Sequence, residues 1–291
     1  MAQVQASSVC TSASLRSRAM GEGGSGQLET RSTSRGQGFL DALADLQWRC
    51  VELDASHLGK TCVAAMKKGT WQQALGILGT LRQRHMIPDV ICYSAAISVC
   101  AKGGQWLVAL AQLREMRQQL VSPNIFSYSA AISACERSGQ WLLALALLCE
   151  MRQQALAPNV ISYSAAISAC AKGAQWLLAL AQVREMRQHR VAPNVITYSA
   201  TVSACERGGQ WLWALAQFFE MRQQRVAPDA VGYNAAISAG GRGGQWLFAL
   251  SQLCEMRQQR VAPNEVSYNA AISACEKGGQ WLLALAQLRE M

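Results

Sequence analysis

The sequence predicts an all-α protein, an α-solenoid of stacked helix-turn-helix units. Three observations predict it. The first is a strict period. All six prolines (Pro88, Pro123, Pro158, Pro193, Pro228, Pro263) and all six tyrosines (Tyr93, Tyr128, Tyr163, Tyr198, Tyr233, Tyr268) fall 35 residues apart. Seven of the nine tryptophans, from Trp71 to Trp281, keep the same step. Such a period marks stacked supersecondary units, not one closed core. The second observation is helical spacing of apolar residues inside each unit, in two separate runs. The third is punctuation: Gly between the two runs, and Pro followed by Asn or Asp at the end.

Framed to start at Val90, the full units are 90–124, 125–159, 160–194, 195–229 and 230–264. A degenerate unit, 55–89, precedes them, and a truncated one, 265–291, follows. The unit 160–194 shows the pattern. In its first run Val160, Tyr163, Ile167 and Cys170 hold positions 1, 4, 8 and 11, one stripe of a helix. Asn or Asp at position 35 of the preceding unit stands where an N-cap belongs. The proline before it stops the previous helix from running through. After a Lys-Gly break, Trp176, Ala179, Leu180, Val183 and Met186 mark one face of a second helix. Gly at positions 14 and 15 is expected to permit the reversal between them. Two helices of this size cannot bury both faces alone, so each pair must stack on the next. Unit 230–264 is expected to be softer. Gly232, Gly240 and Gly241 enter its first helix, each costing up to ~1 kcal/mol against Ala. Faster amide hydrogen exchange there than in other units checks this.

Residues 1–38 are rich in Ser, Gly and Arg and poor in large apolar residues, and read as disordered. With Ser7, Ser8, Ser12, Ser14, Arg16, Ser17 and Arg18 ahead of the first acid, Glu22, they fit an organellar transit peptide as well as a generic low-complexity tail. Residues 39–54 open on a short amphipathic pattern, read as a capping helix over the first unit. The chain stops inside an ordinary unit, whereas a solenoid usually closes on an atypical polar cap. A fragment or an incomplete gene product is the expectation.

The net charge of +9 is unevenly placed. Residues 1–54 hold five Arg and six acidic residues; 55–291 hold 22 basic and 12 acidic ones. A basic, elongated array favours polyanions, nucleic acid first and an anionic membrane second. No apolar run approaches the ~20 residues of a membrane span. Cys100, Cys135, Cys170, Cys205 and Cys275 repeat at one place in the unit, with Gly240 interrupting, and no CxxC pair occurs. That is the pattern of a small buried residue in a reducing compartment, not of a zinc site. No cofactor is implied. His57, His85 and His189 are scattered, and neither a deaminase signature nor a phosphate-binding loop is present, so no enzymatic activity is expected of this chain.

Positions 2, 5, 9 and 13 of the first helix share a second stripe, expected to face outward. Position 13 is basic in every unit: Lys67, Lys102, Arg137, Lys172, Arg207, Arg242 and Lys277. Position 9 is Ser98, Ser133, Ser168, Ser203, Ser238 and Ser273. Position 5 is small and polar: Ser94, Ser129, Ser164, Ser199, Asn234 and Asn269. Position 2 is apolar: Ile91, Phe126, Ile161, Ile196, Val231 and Val266. An apolar shelf, a hydrogen-bonding group and a cation suit stacked bases on a phosphate backbone. A routine helix face with one cation near its C-terminus would share the last feature. Tyr at position 4 and Trp at position 17 read as packing residues, and Glu185 and Arg187 as a convex, solvated face.

The unit resembles the pentatricopeptide repeat. The V-x-[ST]-Y-[SN] start, the Ala-Cys-[AE]-[KR]-[GS]-[GA] middle, the Glu-Met of the second helix and the closing Pro-[ND] carry the resemblance over residues 55–291. The tetratricopeptide repeat differs, with a 34-residue unit and its W-x-x-L-G-x-x-Y placement of Trp. Two departures stand out: Trp at position 17, and Leu58 and Gly59 where the first unit should carry Tyr and a small polar residue. The resemblance implies a right-handed superhelix binding single-stranded RNA, one nucleotide per repeat, the N-terminal repeat at the 5′ end. It implies that positions 5 and 35 choose the base; on the stripe read from the residues, position 2 flanks the base and position 13 meets phosphate. Asp accepts only and fits the N–H groups of guanine; Asn donates and accepts and fits adenine or cytosine. The pairs Ser94/Asn124, Ser129/Asn159, Ser164/Asn194, Ser199/Asp229 and Asn234/Asn264 then read A, A, A, G and a pyrimidine, 5′-AAAGY-3′, with Asn269 hinting at a further pyrimidine. The family context implies a monomer working with other RNA-processing proteins in RNA processing, stability, editing or translation. The expected compartment is a chloroplast or mitochondrion, the chloroplast slightly favoured. A protein-binding helical scaffold is the alternative, as is the RNA-binding part of a longer enzyme.

Overall fold

Each half-unit forms one helix because its apolar residues recur every three to four positions and its ends carry stop signals. A computed structural model describes residues 70–83 and 87–290. The segments 1–38 and 39–54, the first helical run of 55–89, Lys67, His57 and His85 lie outside the described residues. Thirteen α-helices are described and no strand. They are α1 (Trp71–Gln83), α2 (Val90–Lys102), α3 (Trp106–Gln118), α4 (Ile125–Arg137), α5 (Trp141–Gln153), α6 (Val160–Lys172), α7 (Trp176–Gln188), α8 (Val195–Arg207), α9 (Trp211–Gln223), α10 (Ala230–Arg242), α11 (Trp246–Gln258), α12 (Glu265–Lys277) and α13 (Trp281–Glu290). Even-numbered helices are the first of each hairpin, and each packs on its own partner and on the first helices of the neighbouring hairpins. The array is an α-solenoid. None of the described helices is long and apolar enough to cross a membrane.

Tyr163, Ile167 and Cys170 of α6 are fully buried, as are Ala179 and Met186 of α7, with Val183 nearly so. Trp176 and Leu180 are half-buried at the seam between hairpins. Burial pushes the thiols of Cys135, Cys170 and Cys205 up to about 11, which keeps them protonated and unreactive at neutral pH. Among the described residues no His, Cys, Asp and Glu cluster into a metal-binding group.

Positions 14 and 15 of the turn do different jobs, which corrects the shared role expected of their glycines. Position 15 alone takes a left-handed backbone: φ is 68–73° at Gly104, Gly139, Gly209, Gly244 and Gly279. Its N–H returns to the helix just ended, as Gly209 does to Glu206, while Gln210 N–H reaches Cys205. That pair of bonds is a Schellman ending. At position 14, which is Gly in every described unit but 125–159, the reason is packing. A Cβ at Gly208 would lie 2.5 Å from Cδ1 of Trp176 in the preceding hairpin. Trp at position 17 therefore packs one hairpin on the next, and a side chain at Gly208 would displace Trp176; among the described units 125–159 alone carries a side chain at this place, Ser138.

Ala174 is the exception at position 15, with φ 54°. A Cβ is disfavoured in that conformation by about 1 kcal/mol. Ala174→Gly should therefore raise stability by about 0.5–1 kcal/mol, read from the urea unfolding midpoint.

In α10 the helix runs unbroken through its glycines. Neighbours occupy the space: a Cβ at Gly240 would come within 2.9 Å of Phe248, and one at Gly241 within 2.9 Å of Ala274. Gly240 accommodates the larger ring of Phe248, which stands where Leu143 and Leu178 stand in earlier units.

Glu185 and Arg187 are not simply a solvated face, a second correction. Arg at position 28 pairs with Glu at position 26 of the next unit: Arg82–Glu115, Arg117–Glu150, Arg152–Glu185, Arg187–Glu220 and Arg222–Glu255. Arg117 and Arg187 also donate to the hydroxyls of Tyr128 and Tyr198, at 3.0 and 3.3 Å. The 33-residue offset lets the longer guanidinium cross the seam between hairpins. Each half-exposed pair is worth about 0.5 kcal/mol, so the ladder mainly fixes how one hairpin sits on the next.

Candidate nucleic-acid interface

The start of each first helix places the residues of interest. Asn or Asp at position 35 caps it, with an extended backbone and a side-chain oxygen accepting the N–H three residues on. Asn124, Asn159 and Asn194 accept from Ser127, Ser162 and Thr197 at 2.9 Å, and Asp229 accepts from Gly232 at 2.8 Å. Asn264 accepts from Ser267 at 3.1 Å. Such a cap contributes about 1 kcal/mol. It also leaves the second polar atom of each side chain, Nδ2 of Asn or Oδ2 of Asp, outside the cap.

Position 5 departs from the outward stripe. Ser129, Ser164 and Ser199 are buried, at 3–6% exposure, and Ser94 and Asn234 are partly buried. The next first helix packs over them: α4 on α2, α6 on α4, and so on. Helical spacing within one hairpin cannot show that neighbour. Asn269, in the last first helix described, remains exposed.

Burial brings each position-5 residue against the cap of the following helix. Ser199 Oγ donates to Asp229 Oδ1 at 2.7 Å. Asn234 Nδ2 donates to Asn264 Oδ1 at 3.3 Å, and Ser94 Oγ to Asn124 Oδ1 at 3.4 Å. Where the direct bond is long or absent, a hydroxyl at position 3 of the next unit bridges. Ser127 lies 2.8 Å from Ser94, Ser162 2.7 Å from Ser129, and Thr197 3.0 Å from Ser164. The same hydroxyls reach the cap oxygens of Asn124, Asn159 and Asn194 at 2.9–3.0 Å. Ser267 contacts both Asn234 and Asn264. All five 5/35 pairs are thus physically joined. Helical spacing within one hairpin does not single out the position-3 residues, although the motif V-x-[ST]-Y carries their hydroxyl.

Beside each pair stands an exposed apolar side chain. Ile91, Phe126, Ile161, Ile196, Val231 and Val266 are 56–72% exposed and repeat once per hairpin. Between Ile196 and Val231 lies an open cleft of about 370 Å³ that also touches Ser199, Asp229, Lys172 and Arg207. Shelf, hydrogen-bonding pair and cation meet at one place.

The cations are not uniform. Lys102, Arg137, Lys172, Arg207, Arg242 and Lys277 are all exposed. Lys172 pairs with Glu136 at 2.6 Å and Arg242 with Glu206 at 2.8 Å, each glutamate at position 12 of the preceding unit. Ser238 at position 9 also donates to Glu206, at 2.7 Å. Arg137 donates to the carbonyl of Lys102 at 3.2 Å. For Arg207 the corresponding residue at position 12 of the preceding unit is Ala171, which offers no carboxylate. A phosphate near Lys172 or Arg242 would have to compete with an existing ion pair; one near Arg207 would not.

Family models match along the array: "PPR repeat family" over residues 123–172, "Pentatricopeptide repeat domain" over 177–210 and 218–277, and "PPR repeat" over 91–119, 196–226 and 266–291. Among solved structures the chain is similar to the pentatricopeptide repeat protein PPR10 in complex with an 18-nt psaJ RNA element. That match has TM-score 0.64 and 24% identity, and covers 87% of this chain and 38% of that one. PPR10 from maize gives TM-score 0.56 and 24% identity, covering 91% and 44%. Nuclear protein-only RNase P 2 of Arabidopsis thaliana gives TM-score 0.54 and 16% identity, covering 63% and 41%. The chain spans less than half the length of each of these structures, and at such identities the likeness speaks to the fold. No curated protein matches the sequence. A strict 35-residue period, helical hairpins stacked in one array and three repeat models lead to one conclusion: the chain belongs to the pentatricopeptide repeat family.

Proposed function

We propose that this chain binds single-stranded RNA along the row of first helices, one base per hairpin, with a preference for 5′-AAAGY-3′. The observation that carries the proposal is the repeated group at each junction: an exposed apolar residue at position 2 beside a hydrogen-bonded 5/35 pair. Family membership supports the same reading, as does the similarity to a fold described with an 18-nt RNA bound. Bases would lie between successive position-2 side chains, such as Ile196 and Val231. Each would meet the outer atom of a cap residue: Nδ2 of Asn124, Asn159, Asn194 and Asn264, and Oδ2 of Asp229. Position 5 would act from behind, by holding the cap side chain. The exposed cations at position 13 would follow the phosphates. The biological setting proposed is RNA processing, stability, editing or translation in a chloroplast or mitochondrion, together with other RNA-processing proteins.

In vitro selection with the full chain tests the sequence preference: an enriched 5′-AAAGY-3′ core is expected, and an unrelated motif refutes it. Arg207→Ala should weaken binding to all sequences alike and flatten the dependence of log K on log salt by about 0.7, one phosphate contact on a single strand.

A second reading, a protein-binding scaffold, has its own observation. Leu107, Leu142, Leu177, Leu212 and Leu247 repeat on the second helices at 63–67% exposure. Binding that ignores salt and RNA would favour it.

A further inference from the structure

The proposed base readout gives no role to the hydroxyls at position 3. Resting on that readout, we infer that the position-3 hydroxyl is a positioning residue that couples position 5 to the base-facing atom at position 35. Four observations carry this.

Ser129 and Ser164, at 6% exposure, offer a base little surface of their own at the second and third junctions. No hydrogen bond joins either of them directly to Asn159 or Asn194; the bridge is Ser162 or Thr197, within 2.7–3.0 Å of both partners.

The oxygen of the cap amide is turned inward by two donors. At Asn159 these are Ser162 N–H at 2.9 Å and Ser162 O–H at 3.0 Å. Two donors on Oδ1 fix the plane of the amide as well as its direction, so Nδ2 is presented outward at a set angle. One donor alone would fix the direction but leave the side chain free to swing.

The hydroxyl also obeys proton arithmetic that depends on position 5. At the third junction Ser164 O–H can donate to Thr197 Oγ1, whose own proton goes on to Asn194 Oδ1, at 3.0 and 2.9 Å. Ser94 and Ser129 share their proton with the carbonyls of Val90 and Ile125, at 2.6 and 2.7 Å, so there the bridge can run from position 3 to either neighbour. When position 5 is Asn234, the order reverses. Asn234 Nδ2 donates to Asn264 Oδ1 at 3.3 Å, and the Ser267 proton satisfies Asn234 Oδ1 at 2.6 Å. Ser267 Oγ in turn accepts the Asn264 N–H at 3.1 Å. A change at position 5 therefore changes which atom steadies the cap amide.

The fourth junction supplies the contrast. There position 3 is Gly232, and Ser199 reaches Asp229 directly at 2.7 Å. A Cβ at Gly232 would lie 2.9 Å from Ser199 Oγ, in the space this direct contact uses. A carboxylate has two equivalent oxygens and no wrong way round, so it needs no bridge to orient it. The hydroxyl accompanies Asn and is absent beside Asp229.

The test uses the full chain with Ser162→Ala and Ser162→Thr, and RNAs carrying A or G at the second base of AAAGC. Wild type is expected to prefer A. Ser162→Ala should reduce the A-over-G ratio about fivefold, the loss of one neutral hydrogen bond, while Ser162→Thr retains it, as Thr197 provides the same bridge naturally. A residue that merely supports the fold would weaken both RNAs equally and lower the melting temperature without changing the ratio. Thr197→Val, read at the third base, repeats the measurement should Ser162→Ala fold poorly. An unchanged ratio in the alanine and valine variants overturns the inference and leaves the readout standing. A wild type without base preference at the second position overturns the readout itself, and the inference with it.

Discussion

Asp229→Asn is expected to move the preferred fourth base from guanine to adenine. Asp229 spends one oxygen on the cap and on Ser199, at 2.8 and 2.7 Å. Its second oxygen is a pure acceptor, matched to the N–H donors on the pairing edge of guanine. Asn would keep the inward oxygen and present an N–H in place of the acceptor, matched to the ring nitrogen of adenine. Asn and Asp cap helices about equally, so the fold should not register the change. Discrimination by a good polar pair is worth about 1–3 kcal/mol, a factor of roughly ten to a hundred. Competition binding between AAAGC and AAAAC oligomers measures it. An unchanged ratio at unchanged melting temperature would reduce Asp229 to a helix cap.

Ile167→Ala should cost about 2–5 kcal/mol of stability, the range for emptying a fully buried branched side chain. Ile167 is 0% exposed and packs with Cys170, Ala179, Val183 and Ala204, drawn from its own hairpin and the next. In a linear array each hairpin touches only its neighbours, so the damage is local. Urea unfolding followed by circular dichroism should broaden or split into two steps, as the parts on either side uncouple. A loss below about 1 kcal/mol with one sharp transition would contradict this account of the core.

The sequence exposed what the chain does within one hairpin, because period and spacing are local. Tyr163, Ile167 and Cys170 announce a buried stripe by their steps of four and three, and Asn159 announces a cap by standing after Pro158. What lies between hairpins was harder to read. Ser164 sits on the stripe expected to face outward, and only the arrival of α8 against α6 covers it. Gly208 looks like a turn residue until Trp176 is found against its Cα. Glu185 and Arg187 read as solvated side chains because their partners stand 33 residues away. Lys172 and Arg207 share one place in the unit, yet only Lys172 has a glutamate, Glu136, across the seam; position 12, which reads Ala, Glu, Ala, Glu, Gly and Glu from Ala101 to Glu276, carries that signal. In a repeat protein such offsets are visible, once a 33- or 36-residue partner is sought alongside the 35-residue period.

The central claim is that each junction between hairpins offers one base site. Binding of the full chain to a fluorescent single-stranded RNA containing AAAGC, titrated from low to high salt, tests it most directly. The account predicts saturable binding at low ionic strength, weakening steeply with salt, and tighter than binding to the same oligomer with all five bases replaced by uracil. Equal affinity for both oligomers, or no binding at low salt, would contradict it.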